Sequence, residues 1–244
     1  MKDLAAIQEL FAAARHQDCL QACQNILQAN QSETYAYKYA GKSLIALGQF
    51  EKAKQCLIKA HQLDGDDPEI VKDIGNIFNA LKKDAEAVKL YEAALSINPN
   101  YAPASNNLGC IAKRQGNLAA AEQLVKRACD LDQSSATYQM NLGGIYKDLG
   151  QLDQALATTL KSLELNPNNP DAYISLGGIY KDLGQLDQAL TTTLKSLELN
   201  PDKPDAYINL GGIYKDLGQL DQALAATLKS LELNPDNPTA KMNL

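Results

Sequence analysis

Apolar residues recur along the chain at three- and four-residue spacing, in short runs that come in pairs. Within residues 170–203, for example, the first run includes Leu176 and Ile179, and the second includes Leu190 and Leu194. This spacing places apolar side chains on one face of an α-helix and polar side chains on the other. The pattern therefore predicts two amphipathic helices in this segment.

The residues around these two runs mark where the helices begin and end. Asn169 stands at an N-cap, and Pro170 follows at the first helical position, where its missing N–H costs nothing. Gly184 ends the first run at the place where a left-handed residue is favoured, and Pro201 prevents the second run from continuing. The segment is thus predicted to form one antiparallel helix hairpin.

The same pattern returns with a fixed period of 34 residues. The stretch 141–166 recurs almost unchanged at 175–200 and 209–234. Projecting the period along the chain gives a degenerate hairpin at 1–33, repeats at 34–67, 68–101, 102–135, 136–169, 170–203 and 204–237, and a partial repeat at 238–244. A period of this length indicates stacked helix-turn-helix units that bury their apolar faces against their neighbours. We expect one elongated all-α domain over residues 1–244.

Composition and charge narrow the class of protein. The net charge is −6 and Lys and Glu are mixed along the helices, so a nucleic-acid partner is not expected. The first amphipathic run is too short and too polar for a signal peptide or a membrane span, which predicts a cytoplasmic protein with no membrane partner. The five cysteines form no Cys-x-x-Cys pair and are expected to be small, buried, reduced thiols.

Residues at fixed places in each repeat carry a family resemblance. A Leu-Gly pair stands in the first helix, an Ala in the second helix, and a Pro near the end of the repeat. The Leu-Gly pairs are Leu108-Gly109, Leu142-Gly143, Leu176-Gly177 and Leu210-Gly211; the alanines are Ala53, Ala87, Ala121, Ala155, Ala189 and Ala223; the prolines are Pro99, Pro167, Pro201 and Pro235. In these features the chain resembles tetratricopeptide repeats, and the late, nearly identical repeats resemble bacterial arrays attached to glycosyltransferase or sulfotransferase domains.

The resemblance implies a right-handed superhelical solenoid whose first helices line a concave groove. It also implies a role in protein interaction, without catalysis and without a cofactor or metal. The sequence itself shows no phosphate loop, no serine in a strained turn and no isolated carboxylate pair, so we do not expect an enzyme.

Polar residues beside the Leu-Gly pairs are the candidates for this groove. The residue before each Leu is Asn107, Asn141, Ser175, Asn209 or Asn243. A primary amide both donates and accepts hydrogen bonds, so such a row suits the backbone of an extended peptide. The row is similar to the asparagine ladder of O-linked N-acetylglucosamine transferases, although Asn is also an ordinary polar choice at such a position.

Two further sets of residues complete the candidate site. Lys72, Asn76 and Asn107 match part of the carboxylate clamp of chaperone-binding tetratricopeptide domains, although Thr137 and Asn141 stand where that clamp needs cations. Lysines form a line further along the first helices, at Lys113, Lys147, Lys181 and Lys215. We expect the aspartates that directly follow the last three of these lysines to offset part of their charge, as on a solvated face.

The last complete repeat presents a leucine edge. Leu224, Leu228 and Leu231 lie on one face of its second helix, where the next repeat would pack. Self-association through this C-terminal end is therefore one hypothesis. The leading hypothesis is a scaffold that binds an extended peptide in the groove; the alternative is a recognition or assembly region of a larger transferase.

Overall fold

The computed structural model describes residues 2–242, so the predicted partial repeat is described only to residue 242, and Asn243 and Leu244 lie outside. These residues form helices and no strand. The helices are α1 Lys2–Ala12, α2 His16–Ala29, α3 Thr34–Ala46, α4 Phe50–Leu63, α5 Pro68–Ala80, α6 Asp84–Ile97, α7 Ala102–Arg114, α8 Leu118–Leu131, α9 Ala136–Asp148, α10 Leu152–Leu165, α11 Pro170–Asp182, α12 Leu186–Leu199, α13 Pro204–Asp216, α14 Leu220–Leu233 and α15 Pro238–Met242. The all-α prediction is confirmed, and the first helices begin at the predicted repeat starts.

The helix boundaries follow the predicted signals. The Asn169 side chain accepts a hydrogen bond from the backbone N–H of Asp171 and caps α11, with Pro170 at its first position. Gly184 has φ +74° in the turn before α12. In the first part of the chain two turns use other residues at this place, Ala14 with φ 55° and Lys82 with φ 59°. Left-handed backbone is costly for a residue with a Cβ, so these two turns are less favourable than the glycine turns.

The contacts divide the chain into two compact units, one up to Ile111 and the other from Ala112. In unit 1 each helix packs on the next from α1 to α6, and in unit 2 the same holds from α8 to α15. First helices of successive repeats also contact each other, as α3 does α5 and α9 does α11. Each unit is therefore a stack of helix pairs. The single domain expected over residues 1–244 stays a prediction.

Close packing within each repeat depends on the Leu-Gly glycine. A methyl group on Gly177 would overlap with the Thr193 hydroxyl and would lie 3.3 Å from the carbonyl oxygen of Ala189. In unit 1 the same place on α5 faces a larger side chain, because a methyl group on Gly75 would lie 2.7 Å from Cε1 of Tyr91. The glycine thus allows the two helices of a repeat to approach each other closely.

Candidate functional site

In unit 1 the structure brings together three of the predicted groove residues, Lys72, Asn76 and Asn107. Asn107 Nδ2 donates to Asn76 Oδ1 at 2.9 Å, and the Tyr91 hydroxyl donates to the same oxygen at 2.9 Å. Asn76 Nδ2 in turn donates to Asp73 Oδ1 at 3.2 Å, and the Lys72 ammonium forms an ion pair with that oxygen. These five residues, which we call the unit 1 cluster, hold α5, α6 and α7 together through polar contacts.

The charge of Lys72 is offset inside this cluster. Asp73 is 4% exposed. Burial raises the pKa of its carboxyl group, although the Lys72 ammonium beside it acts in the opposite direction. Asp73 Oδ2 is buried and receives no hydrogen bond from the described residues. Since Lys72 already forms an ion pair with this buried carboxylate, the cluster does not offer a free cation for the carboxylate of a ligand.

A second charged group in unit 1 was missed by sequence reasoning. Lys38 Nζ lies 2.7 Å from Asp67 Oδ2 and 2.5 Å from Glu69 Oε2, and Lys42 Nζ lies 2.6 Å from Glu69 Oε1. Burial alone would raise the pKa of Glu69, but the hydrogen bonds from the two lysines outweigh it and hold that pKa at about 2. The lysines stand at the helix positions of Lys72 and Asn76 one repeat earlier, which is the signal that could have identified them.

In unit 2 the predicted polar row occupies equivalent places on α9, α11 and α13. Asn141, Ser175 and Asn209, which we call the amide row, are all half-buried. Asn209 Nδ2 donates to the backbone carbonyl of Ile174 on the preceding first helix at 2.9 Å. Among the described residues no donor reaches Asn209 Oδ1. One edge of this amide therefore joins neighbouring repeats, while the other edge remains able to accept a hydrogen bond.

The predicted lysine line in unit 2 forms ion pairs between one repeat and the next. Each lysine forms an ion pair with the aspartate one repeat later, 35 residues along, and not with the aspartate next to it in the sequence. The distances between Nζ and Oδ2 are 3.2 Å for Lys113 and Asp148, 3.3 Å for Lys147 and Asp182, and 3.7 Å for Lys181 and Asp216. Residues adjacent in a helix point in different directions, so each lysine reaches the aspartate of the next repeat and not the one beside it in sequence. We call these three pairs the lysine ladder.

The second glycine of each late Leu-Gly-Gly sequence makes room for this ladder. A methyl group on Gly144 would lie 2.9 Å from Lys113 Nζ, and one on Gly178 would lie 3.1 Å from Lys147 Nζ. Each lysine thus crosses the first helix of the next repeat over a glycine. The first and second glycines have separate roles, since the first faces the second helix of its own repeat.

The last lysine of the line, Lys215, has no carboxylate within ion-pairing distance among residues 2–242. It is exposed, whereas Lys113, Lys147 and Lys181 are half-buried. The predicted leucine edge lies beside it on α14. Leu224 is 49% and Leu228 51% exposed, but Leu231 is half-buried. The most exposed leucine is Leu220 at 67%, which sequence reasoning did not include in the edge.

The cysteines and histidines do not form a metal site within the described part of the chain. Burial, together with the nearby thiol of Cys19, raises the pKa of Cys23 to about 12, so that thiol is unreactive at neutral pH. The ring of His16 packs edge-on against Phe11 with centroids 5.2 Å apart. No described helix is long and apolar enough to cross a membrane.

Family models match the sequence over most of its length. A model described as "TPR repeat" matches residues 75–116, 143–184 and 177–217. Three models described as "Tetratricopeptide repeat" match residues 204–237, 104–131 and 40–67. The sequence matches none of the curated proteins with which it was compared.

Solved structures share the fold at low sequence identity. One chain in the structure of the Cut9–Hcn1 hetero-tetramer of the APC/C is similar over 98% of this chain, with a TM-score of 0.88 and 15% identity, and this chain spans 47% of that one. PilF of Pseudomonas aeruginosa is similar over 86% of this chain and 95% of its own, with a TM-score of 0.72 and 21% identity. YrrB, described as a TPR protein with an unusual peptide-binding site, is similar over 76% of this chain and 96% of its own, with a TM-score of 0.56 and 23% identity.

Proposed function

Because the chain belongs to the tetratricopeptide-repeat family, whose repeats mediate protein interactions, we propose that it is a non-catalytic scaffold that binds an extended peptide along the amide row of unit 2. The observation that carries this proposal is the hydrogen bonding of the Asn209 amide. Asn209 is held by its own bond to Ile174, and its oxygen remains available to a peptide N–H. The side chain is therefore fixed before a ligand arrives, which reduces the entropy lost on binding.

The spacing of the amide row fits an extended backbone. Packed helices lie roughly 8–10 Å apart, and an extended chain rises about 3.3 Å per residue. Consecutive members of the row therefore fall beside about every third residue of a peptide that crosses α9, α11 and α13. Contacts of this kind are made to the main chain, so they favour an extended conformation and read little of the sequence.

The lysine ladder supports the same kind of ligand. Each of its three ammonium groups already has a carboxylate partner in the next repeat, so the ladder itself adds no unpaired positive charge to the surface. An acidic ligand would have to replace these partners. A peptide held by its backbone leaves the pairs intact, which is why we favour backbone recognition over the capture of a carboxylate.

The proposal includes a cytoplasmic location. The thiols support it, because none of the five cysteines, all within the described residues, forms a disulfide, as is usual for proteins of a reducing compartment. Fractionation of cells that produce the chain, followed by blotting, would test the location. Recovery outside the cytoplasmic fraction would contradict it.

A random dodecapeptide library displayed on phage tests the binding proposal. We expect enriched peptides to bind the full chain, and we expect Ser175→Tyr to block them because the new ring covers the middle of the amide row. A matched control is Ala157→Tyr, which places the same ring on an exposed position of α10. Circular dichroism would show that both variants remain folded.

The amides themselves give a graded result. Each of Asn141→Ala and Asn209→Ala should weaken an enriched peptide about two- to tenfold, because one hydrogen bond contributes roughly 0.5–1.5 kcal/mol. Fluorescence anisotropy with the labelled peptide measures this change. Equal affinity of the wild type and the Ser175→Tyr variant, or failure of any peptide to be enriched, would refute binding at the amide row.

A further inference from the structure

Unit 1 contains an open cavity of about 400 Å³ that is separate from the amide row of unit 2. Residues of α1, of α3 and of the loop before α5 line it. These three helices contact each other in that order, so the cavity lies between successive helix pairs of unit 1. We call it the tyrosine cavity.

Two aromatic rings form one wall of the tyrosine cavity. Tyr35 and Tyr39 both line it, and they lie four residues apart in α3, so their side chains extend from one face of that helix. Gln8 Nε2 of α1 donates to the Tyr39 hydroxyl at 3.2 Å, and the Tyr39 ring packs edge-on against Phe11 with centroids 5.7 Å apart. The Tyr39 ring is therefore held in place by α1.

This aromatic wall is not a feature of the repeat. At intervals of 34 residues, the place of Tyr35 is taken by residues without an aromatic ring, which are Glu69, Pro103, Thr137, Asp171 and Asp205. The tyrosine cavity therefore differs from the equivalent places in the later repeats.

The charges that line the tyrosine cavity are unbalanced. They are the carboxylates of Glu33, Asp64 and Asp67 and the ammonium group of Lys38. Lys38 already pairs with Asp67, at 2.7 Å, and with Glu69 outside the cavity, at 2.5 Å. Among the side chains that the structure describes, no cation lies within ion-pairing distance of Glu33 or Asp64. The cavity thus retains two carboxylates that no cation neutralises.

Local hydrogen bonds hold both of these carboxylates. Glu33 Oε1 accepts from Asn30 Nδ2 at 2.7 Å, and Asp64 Oδ1 accepts from the backbone N–H of Asp66 at 3.2 Å. Within the described part of the chain, the second oxygen of each carboxylate receives no hydrogen bond. Burial and the nearby carboxylates of Glu33 and Asp3 raise the pKa of Tyr35, which agrees with a negative potential beside its ring.

We propose that the tyrosine cavity binds the guanidinium group of an arginine. A guanidinium is planar and always charged, so it can stack on a tyrosine ring and donate two parallel hydrogen bonds to a carboxylate at the same time. The ammonium group of lysine offers no such plane. This site goes beyond the proposed binding of a peptide backbone in unit 2, because it lies in unit 1 and recognises one side chain.

Two fluorescein-labelled peptides test the proposal on the full chain. One is Gly-Ser-Gly-Arg-Gly-Ser-Gly, and the other has citrulline, which is uncharged and of nearly the same shape, in place of Arg. By fluorescence anisotropy we expect saturable binding of the arginine peptide and at least tenfold weaker binding of the citrulline peptide. Equal affinity of the two peptides, or no saturable binding of the arginine peptide, would refute the site.

Competition identifies the source of the guanidinium. Displacement of the labelled peptide by N-acetyl-arginine methylamide would support an arginine residue of a protein partner as the ligand. Displacement by free L-arginine alone would support the amino acid itself. A peptide with Lys in place of Arg should bind about threefold to tenfold more weakly, because its ammonium group cannot stack in the same way.

A change of charge locates the binding. Glu33→Gln together with Asp64→Asn should weaken the arginine peptide at least tenfold, because both unpaired carboxylates are lost. Glu86→Gln together with Glu92→Gln changes the net charge equally at two exposed residues of α6 and should leave binding unchanged. Equal losses in the two double variants would mean that the peptide follows the overall charge of the chain, and the site would be wrong.

Changes of the ring test the stacking. Tyr35→Leu should weaken the arginine peptide about three- to tenfold, whereas Tyr35→Phe keeps the ring and should bind as the wild type does. Circular dichroism would show that both variants are folded. Ser175→Tyr, which covers the amide row, should leave arginine binding unchanged, so this proposal can fail or succeed independently of the amide row. Equal binding by Tyr35→Leu and the wild type, or loss of binding in Ser175→Tyr, would overturn the assignment to the tyrosine cavity.

Discussion

The two units use the same positions of their first helices in different ways. In unit 1 these positions belong to the unit 1 cluster, whose side chains bond to one another around the buried carboxylate of Asp73. In unit 2 the equivalent positions repeat with the period of the chain, as the amide row and the lysine ladder. The cluster satisfies its polar groups mainly with each other, whereas the amide row retains an acceptor at Asn209. A regular surface therefore suits an extended ligand better than the cluster does.

The side chains packed beneath these two surfaces also differ between the units. In unit 1, Tyr91 is fully buried against Gly75, and its hydroxyl joins the cluster. In unit 2, Thr193 takes the equivalent place, and its hydroxyl donates to the carbonyl of Ala189 on its own helix. The tyrosine thus connects the core of its repeat to the unit 1 cluster, whereas the threonine packs in the core and makes no hydrogen bond to the amide row.

The largest expected effect comes from removing this link. Tyr91→Ala should lower the free energy of unfolding by about 3–5 kcal/mol, because it leaves a cavity and removes the donor to Asn76. Thr193→Ala removes much less volume and should cost under about 2 kcal/mol. Urea unfolding followed by circular dichroism measures both. A Tyr91→Ala variant that is as stable as Thr193→Ala would contradict the difference between the units.

The next largest effect is a difference in stability between alanine substitutions at the two glycines of one Leu-Gly-Gly sequence. Gly177→Ala places a methyl group against the buried Thr193 hydroxyl and should cost about 1–3 kcal/mol. Gly178→Ala meets the end of the Lys147 side chain, which can move, and its methyl group lies at ordinary contact distance, 3.7 Å, from Asn209 Nδ2, so we expect a change below about 0.5 kcal/mol. The same unfolding experiment compares them. Equal losses would mean that the ladder lysine is fixed as firmly as the core.

Much of the fold could be predicted because the period of 34 residues repeats each local signal. The helix starts at Thr34, Pro68 and Pro170, the cap at Asn169 and the left-handed turn at Gly184 depend on residues next to each other in sequence. Such signals act within one or two turns. The repetition then shows which of them recur, and the family resemblance adds the stacking.

The site could be predicted less well, because its contacts cross from one repeat to the next. The row of asparagines was visible, but the sequence did not reveal that Asn209 uses its amide on the carbonyl of Ile174. Nor did it show that Lys147 reaches Asp182 and not its neighbour Asp148. Leu220 was missed for the same reason, since its exposure depends on what covers the face of a helix and not on its own periodicity.

A smaller loss than those of Tyr91→Ala and Gly177→Ala is expected for the charges of unit 1, and it depends on pH. The pKa of Glu69 in the folded chain is about 2, below its ordinary value of 4.5, so Glu69 contributes stability that is fully present above pH 4.5 and is lost as the pH falls toward 2. Because the side chain is 32% exposed, solvent reduces this contribution to about 1 kcal/mol. Glu69→Gln should therefore be less stable than the wild type by that amount at pH 7, and the difference should shrink at pH 3.

Asp73 also makes the free energy of unfolding depend on pH in this range, but with the opposite sign. Burial raises the pKa of its carboxyl group, so protonation of Asp73 relieves the folded state as the pH falls. This contribution is present in both the wild type and Glu69→Gln, and it largely cancels in their difference, which is why the difference is the quantity to measure by urea unfolding at each pH. Glu164→Gln, at an exposed residue of unit 2, is the control and should change stability at neither pH. If Glu69→Gln lowers the free energy of unfolding by the same amount at pH 3 and at pH 7, the contacts of Lys38 and Lys42 with this residue do not depend on its charge, and the prediction is wrong.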